Sequence, residues 1–215
     1  MIGYWDYTVI LTFMGLTSTV IGMVMAHEGN YTQAIFFLAL SGLFDTFDGK
    51  VARSKKNRTE DEKAYGIQLD SLCDVICFGV FPAILCFQMG MRNYLGIAIM
   101  VFYCIAAVTR LAYFNVLETS RQQTEEGANK YYHGLPVTSI AVIFPLMYLI
   151  SYWIARDCKA IALEIMLALT GFLFIVDFKL RKPNNRQLVA WIVLVVLALL
   201  VSTYFYHKSW LRHLV

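Results

Sequence analysis

Four aspartates lie close together in an otherwise apolar sequence, within the stretch DTFDGKVARSKKNRTEDEKAYGIQLDSLCD, residues 45–74. Asp45 and Asp48 end one apolar segment, and Asp70 and Asp74 lie near the beginning of the next. The spacings are i, i+3 and i, i+4, so each pair shares one face of a helix. Because a short loop makes consecutive helices antiparallel neighbours, we expect the four carboxylates to converge at one depth.

The rest of the chain is strongly apolar. Of its 215 residues, 59% are hydrophobic and only 15% are charged, and the mean hydropathy is +0.58. Soluble domains are rarely so apolar. Apolar runs of about 20 residues recur along nearly the whole chain, which is enough to cross a bilayer as helices. We therefore predict an all-α, polytopic membrane helical bundle, formed by a single transmembrane domain over residues 1–215.

Seven apolar segments are candidate membrane spans. They cover approximately residues 8–26, 31–52, 67–90, 94–117, 135–154, 160–178 and 187–206. Residues 1–8 lack a basic region, so we expect the first segment to be retained as a span. Lys and Arg are concentrated in the second-to-third, fourth-to-fifth and sixth-to-seventh loops. The positive-inside rule places these loops, and with them the four aspartates, in the cytoplasm. We expect an integral protein of a bacterial or archaeal cell membrane.

Four carboxylates at a membrane surface need compensating charge. One Asp at the middle of a span costs about 2.5–3.5 kcal/mol on insertion scales, and less near the interface. Carboxylate oxygens suit the hard cations Mg²⁺ and Mn²⁺, and a pair of such ions suits phosphoryl transfer. One alternative is that the acids are interfacial caps paired with nearby Lys and Arg. Another is a cation-coupled transporter, but its acids tend to lie at the midplane. Acids near one surface favour lipid chemistry.

Small and basic residues follow the first pair of acids. Gly49 and Ala52 would let a flat or anionic ligand approach the backbone closely. Arg53 would then face the same site, where its planar guanidinium could bind a phosphate. The alternative for Arg53 is that it only anchors the helix at the cytoplasmic surface.

The order of these residues resembles the signature of the CDP-alcohol phosphotransferases: Asp45-x-x-Asp48-Gly49-x-x-Ala52-Arg53, then Gly66-x-x-x-Asp70-x-x-x-Asp74. The resemblance implies a catalytic domain with a six-helix core, here followed by an extra C-terminal span, and a homodimer. It implies two Mg²⁺ or Mn²⁺ ions held by Asp45, Asp48, Asp70 and Asp74. Asp74 would also be the general base. The CDP part of the lipid would be bound by Gly49, Ala52, Arg53 and Gly66. Residues 54–65 form a longer connection than the family pattern has.

Three further stretches resemble members of this family that use serine as the alcohol: LDSLCDVICFGVFPA (69–83), TRLAYFNV (109–116) and HGLPVTS (133–139). Such members transfer the phosphatidyl group of CDP-diacylglycerol to L-serine and release CMP. Arg110 could bind the serine carboxylate and Asn115 could add a hydrogen bond. Alternatively, Arg110 pairs with an aspartate or extends to the interface. Glycerol 3-phosphate or an inositol derivative remains an alternative acceptor. We expect these substrates and membrane lipids as partners, and we expect no nucleic-acid partner.

Overall fold

The computed structural model describes residues 3–55, 57–124, 131–155, 158–181 and 184–212, which are almost entirely helical. The α-helices are α1 (Ile10–His27), α2 (Tyr31–Ser54), α3 (Glu60–Asp74), α4 (Phe81–Gln88), α5 (Tyr94–Thr124), α6 (Ile140–Ile150), α7 (Lys159–Ile175) and α8 (Asn185–Arg212). A π-helix, Val75–Val80, joins α3 to α4, so the chain is helical without interruption from Glu60 to Gln88. Turns of 3₁₀-helix precede α1 and α6, at Tyr7–Val9 and Val137–Ser139.

The prediction of an all-α polytopic membrane protein is confirmed. Each of the seven predicted spans coincides with a helix or with the continuous α3–α4 segment. Within the described residues, four segments are long and apolar enough to cross a membrane: Tyr7–His27, Glu60–Gln88, Tyr94–Leu117 and Asn185–Phe205. α6 and α7 are shorter, and α2 carries charged residues in its last turns. The number of crossings and the cytoplasmic side stay predictions.

The third helix begins earlier than the sequence reading expected. The predicted span started at residue 67, whereas α3 starts at Glu60. The reason is a capping box at Thr59: its hydroxyl accepts a hydrogen bond from the Glu62 amide at 3.2 Å, and the Glu62 carboxylate accepts one from the Thr59 amide at 2.9 Å. Acidic residues in the first turn also favour this helix end. Nearly two further turns therefore extend α3 beyond the apolar segment.

The π-helix follows Asp74 directly and has an identifiable cause. Pro82 has no amide hydrogen, so the carbonyl of Phe78 cannot receive the usual helical hydrogen bond from it. The Tyr103 hydroxyl of α5 donates to that carbonyl instead, at 2.6 Å. The thiol of Cys104 lies 3.5 Å from the carbonyl of Gly79. α5 thus satisfies the backbone groups that the π-helix leaves free, and this fixes the helix that carries Asp70 and Asp74.

Small residues bring the helices of the bundle close together, as is usual in membrane proteins. A Cβ atom at Gly42 of α2 would lie 2.5 Å from the Cβ of Ala141 of α6. A Cβ atom at Gly22 of α1 would lie 2.6 Å from the Phe81 ring. α1 is also joined to α2 by a hydrogen bond of 2.9 Å from the Ser18 hydroxyl to the Phe37 carbonyl. The helix that carries Asp45 and Asp48 is therefore packed tightly on both sides.

A short antiparallel pair of strands was not predicted. β1 (Tyr131–His133) pairs with β2 (Lys179–Arg181), with Tyr132 opposite Leu180. The chain then turns at Gly134, whose φ of +69° favours glycine. The Gly134 amide donates to the Phe178 carbonyl at 2.8 Å. The strands join the segment before α6 to the segment after α7.

Candidate functional site

The structure brings the carboxylates of both helices together. Single oxygens of Asp45, Asp70 and Asp74 all lie within 4.8 Å of one another. The Asp45 carboxyl contacts that of Asp74, and the Asp48 carboxyl contacts that of Asp70. The predicted convergence of the four acids is therefore observed. It arises because α2 ends and α3 begins at the same end of the bundle, with each acid pair on the inner face of its helix.

Asp48 is the acid that α1 orients. It is buried, with 8% of its surface exposed, and its carboxylate accepts a hydrogen bond from the Thr12 hydroxyl at 3.2 Å. Asp48 and Asp74 also line a cavity of about 10 Å³, together with Cys73 and Cys77. Apart from the acids, the lining is mostly uncharged, so the site concentrates negative charge in a small volume.

The carboxylate cluster fits a divalent cation. Oxygens on opposite sides of Mg²⁺ lie about 4.2 Å apart, because each Mg–O distance is about 2.1 Å. Single oxygens of Asp45, Asp70 and Asp74 lie within 4.8 Å of one another, which is close enough for them to share one such ion. Oxygen donors alone suit a hard cation such as Mg²⁺ or Mn²⁺. The adjacent cysteines are packed as buried side chains, so the cluster itself presents carboxylate oxygens.

The predicted CDP-binding residues lie around this cluster in part. Gly49 and Ala52 follow Asp48 in the last turns of α2 and are partly buried. Gly66 lies one helical turn before Asp70 on the same face of α3. The Arg58 guanidinium lies directly over Gly66: a Cβ atom there would be 2.6 Å from its Nη2 atom. The Arg53 side chain, which was predicted to bind phosphate, lies outside the described part of the structure.

The two residues predicted to bind serine lie on α5. Asn115 lies next to α3, where its Oδ1 atom accepts a hydrogen bond of 2.8 Å from the Ser71 hydroxyl. Since Ser71 follows Asp70 in the chain, Asn115 lies beside the acid-bearing helix. Arg110 is buried, with 8% of its surface exposed, more than one turn before Asn115 on the same helix.

The N-terminal segment fastens the connection between α2 and α3. The Lys55 ammonium lies 2.7 Å from a carboxylate oxygen of Asp6 and 2.9 Å from one of Glu62. The hydrogen bonds from Lys55 and Thr8 hold the pKa of the Asp6 carboxyl at about 2, below its usual 3.8. We call this arrangement of Asp6, Lys55 and Glu62 the N-terminal clasp.

Sequence reasoning missed three features of this region. The capping box at Thr59 had a detectable signal, because Thr followed three residues later by Glu is a known helix start. The hydrogen bond between Ser71 and Asn115 had none, since it joins residues on different helices. The position of Arg58 over Gly66 also depends on how the connection folds, which spacing alone does not indicate.

The chain belongs to the CDP-alcohol phosphatidyltransferase family, whose model matches residues 7–176. It is 35% identical over 149 residues to the CDP-diacylglycerol–serine O-phosphatidyltransferase of Saccharomyces cerevisiae, covering 66% of this chain and 52% of that protein. It is 32% identical over 145 residues to the archaetidylserine synthase of Methanothermobacter thermautotrophicus, covering 67% of this chain and 58% of that protein. The chain thus spans only part of the length of these two relatives.

A Helicobacter pylori protein named CDP-diacylglycerol–serine O-phosphatidyltransferase is matched over more of its length. It is 27% identical over 190 residues, covering 86% of this chain and 73% of that protein. The family match extends from the 3₁₀ turn before α1 to the end of α7, so it includes both acid-bearing helices and leaves α8 outside.

Proposed function

We propose that the chain transfers the phosphatidyl group of CDP-diacylglycerol to the hydroxyl of L-serine, giving phosphatidylserine and CMP. The observation that carries this proposal is the convergence of Asp45, Asp70 and Asp74 at the site of the family signature. Three similar proteins, from a yeast, an archaeon and a bacterium, are named for phosphatidyl or archaetidyl transfer to serine. Serine is therefore the acceptor we infer.

Asp74 is the proposed general base. The serine hydroxyl is a weak nucleophile near neutral pH and needs a base within hydrogen-bonding reach. Asp74 accepts the hydroxyl proton, and the serine oxygen forms a bond to the phosphorus that carries diacylglycerol. The bond from that phosphorus to the CMP oxygen breaks, and CMP leaves with its electron pair. This is a direct displacement without a covalent enzyme intermediate.

Asp45, Asp48, Asp70 and Asp74 would hold the divalent ions, which we propose to be two Mg²⁺ or Mn²⁺. When bound, such ions neutralise charge on the phosphoryl oxygens and on the leaving phosphate. The chain's own contribution is to hold the carboxylates at a fixed separation. Thr12 does this for Asp48, and the continuous helix through the π segment does it for Asp70 and Asp74.

The acceptor pocket would lie between α3 and α5. Serine is a zwitterion, and the Arg110 guanidinium suits its carboxylate. Asn115 is held at this place by Ser71, so its amide nitrogen can donate to the substrate. Gly49, Ala52, Arg53 and Gly66 would bind the CDP head of the lipid. We further propose that the site faces the cytoplasm, where serine is available, and that the protein is a homodimer in a cell membrane.

Separate incubations with each candidate alcohol test which one is the acceptor. Purified protein is incubated with CDP-diacylglycerol, Mg²⁺ or Mn²⁺, and one of serine, glycerol 3-phosphate or inositol, and CMP release is followed. We expect CMP only with serine. CMP with inositol or glycerol 3-phosphate alone would overturn the serine assignment while leaving the reaction class. If no alcohol gives CMP, the enzyme assignment is wrong.

A further inference from the structure

Arg58 covers the backbone of Gly66. A Cβ atom built at Gly66 would lie 2.6 Å from the Nη2 atom of Arg58 and 3.7 Å from its Cζ atom. Glycine at this position therefore leaves room for a guanidinium group. Any larger side chain at residue 66 would displace it.

The position of Arg58 relates it to the acid cluster. Gly66, Asp70 and Asp74 are spaced i, i+4 and i+8 along α3, so they share one face of the helix. One helical turn is about 5.4 Å. The positive charge of Arg58 thus lies about one turn before Asp70 in α3, on the face that carries Gly66.

The guanidinium of Arg58 has donors left for a ligand. Its Nη2 atom donates to the Glu62 carbonyl at 3.0 Å. Its Nε atom is buried and has no hydrogen-bond partner within the described residues. The ion pairs that the described part of this connection makes belong to Lys55 and Lys63, not to Arg58. A partly buried guanidinium with unused donors suits a phosphate group, which accepts several hydrogen bonds at once.

The connection holds Arg58 in place. The Glu62 carboxylate accepts hydrogen bonds from the Lys55 ammonium and from the Thr59 amide, both at 2.9 Å. These bonds fix the first turn of α3, where the Glu62 carbonyl accepts the hydrogen bond from Arg58. Arg58 is therefore positioned by the N-terminal clasp and the capping box rather than extending freely into solvent.

We propose that Arg58 binds the phosphate of the CDP-lipid head that leaves as CMP. This inference rests on the proposed function. The carboxylate cluster lies at the transferred phosphorus, and the nucleotide end of the substrate extends past Gly66 toward Arg58. When the bond to CMP breaks, negative charge on the leaving phosphate increases and its hydrogen bonds with Arg58 strengthen. Arg58 belongs to residues 54–65, the long connection, so this segment supplies a ligand contact as well as a link.

The test compares Arg58→Gln and Arg58→Lys with Lys63→Gln as a matched control. Lys63 is an exposed cation in the same part of α3, and it pairs with Glu60 rather than lying over Gly66. The measurements are the Kd of labelled CMP with Mg²⁺ present, the KM for CDP-diacylglycerol and the KM for serine. Thermal unfolding in detergent checks that each variant is folded.

We expect Arg58→Gln to raise the CMP Kd and the CDP-diacylglycerol KM about tenfold, because charge-assisted hydrogen bonds are lost. Arg58→Lys should show a smaller rise, and Lys63→Gln should stay within about twofold because exposed charges contribute little. The serine KM should change little in all three. If Arg58→Gln binds CMP like the wild type, or if Lys63→Gln is equally impaired, the inference is wrong. Should Arg58→Gln not fold, Arg58→Lys decides, since wild-type CMP affinity there would also contradict the inference.

The CMP measurement separates this inference from the proposed function. Protein that binds CMP through Arg58 but does not use serine contradicts only the acceptor assignment. Protein that uses serine with unchanged CMP affinity in the Arg58 variants contradicts only the role of Arg58. Failure of the wild type to bind CMP would contradict both the proposed function and the role of Arg58.

Discussion

Ser71 donates a hydrogen bond of 2.8 Å to the side-chain oxygen of Asn115, and this bond joins the acid-bearing α3 to α5. This bond fixes the orientation of the Asn115 side-chain amide. The bond also lies one residue from Asp70, so the proposed acceptor pocket and the carboxylate cluster share the same helix.

Removal of this bond should weaken the binding of serine more than the binding of CDP-diacylglycerol. We expect Ser71→Ala to cost about 0.5–1.5 kcal/mol of folding stability, the usual contribution of one hydrogen bond. The KM for serine should rise several-fold, since Asn115 loses its fixed orientation, and the KM for CDP-diacylglycerol should stay near its wild-type value. Steady-state kinetics with each substrate varied in turn measures both. Equal rises in the two KM values would indicate a general structural role.

Arg110 should contribute mainly to serine binding. In Arg110→Ala, we expect the KM for serine to rise about tenfold or more, since a charge-assisted contact to the carboxylate is lost. Arg110→Lys keeps the charge but not the planar fork, so its effect should be intermediate. Ethanolamine, which lacks the carboxylate, provides the control substrate. If Arg110→Ala raises the KM for serine and the KM for CDP-diacylglycerol equally, a role of Arg110 in serine binding is contradicted.

The hydrogen bond from Tyr103 to the π-helix should stabilise the helix that carries Asp70 and Asp74, although Tyr103 is not part of the site. Tyr103→Phe removes the donor to the Phe78 carbonyl and leaves that buried group unsatisfied. We expect a loss of about 1–3 kcal/mol in stability. Tyr113→Phe is the matched control, because Tyr113 lies on the same helix with 60% of its surface exposed. Thermal unfolding of both variants in detergent measures the difference; similar midpoints would contradict this account of the π-helix.

The N-terminal clasp should weaken in acid. Asp6 has a pKa of about 2 in the folded protein and 3.8 without its partners. A lowered pKa means that its contribution to stability is complete above about pH 4 and is lost as the pH falls toward about 2. Hydrogen exchange of the N-terminal peptide, corrected for intrinsic rates, should therefore increase over that interval. Asp6→Asn should show the faster exchange already near neutral pH. Protection that is unchanged in Asp6→Asn would show that Asp6 does not hold the segment.

The carboxylate cluster was predictable from the sequence because its geometry is local. Spacings of three and four residues fix which face of a helix carries Asp45 and Asp48, or Asp70 and Asp74. Helices that follow one another in the chain are usually neighbours, and this brings the two acid-bearing helices side by side. The positions of the seven apolar helices follow from the same local pattern of hydropathy.

The features that were not predictable depend on contacts between distant residues. The π-helix requires Tyr103 of α5 to replace the hydrogen bond that Pro82 cannot make. The strand pair joins residues 131–133 to residues 179–181, and neither segment has a strong strand pattern. Arg58 reaches Gly66 only because the connection folds into the first turns of α3.

The most direct test of the central claim follows labelled serine into lipid, with Asp74→Asn beside the wild type. Asp61→Asn, which changes an exposed acid at the start of the same helix, is the control. The wild type and the control should give one labelled lipid for each CMP released. In Asp74→Asn we expect both to fall by about 100- to 10,000-fold, the usual contribution of a general base. CMP released without labelled lipid, or an Asp74→Asn variant as active as the control, would contradict transfer to serine with Asp74 as the base.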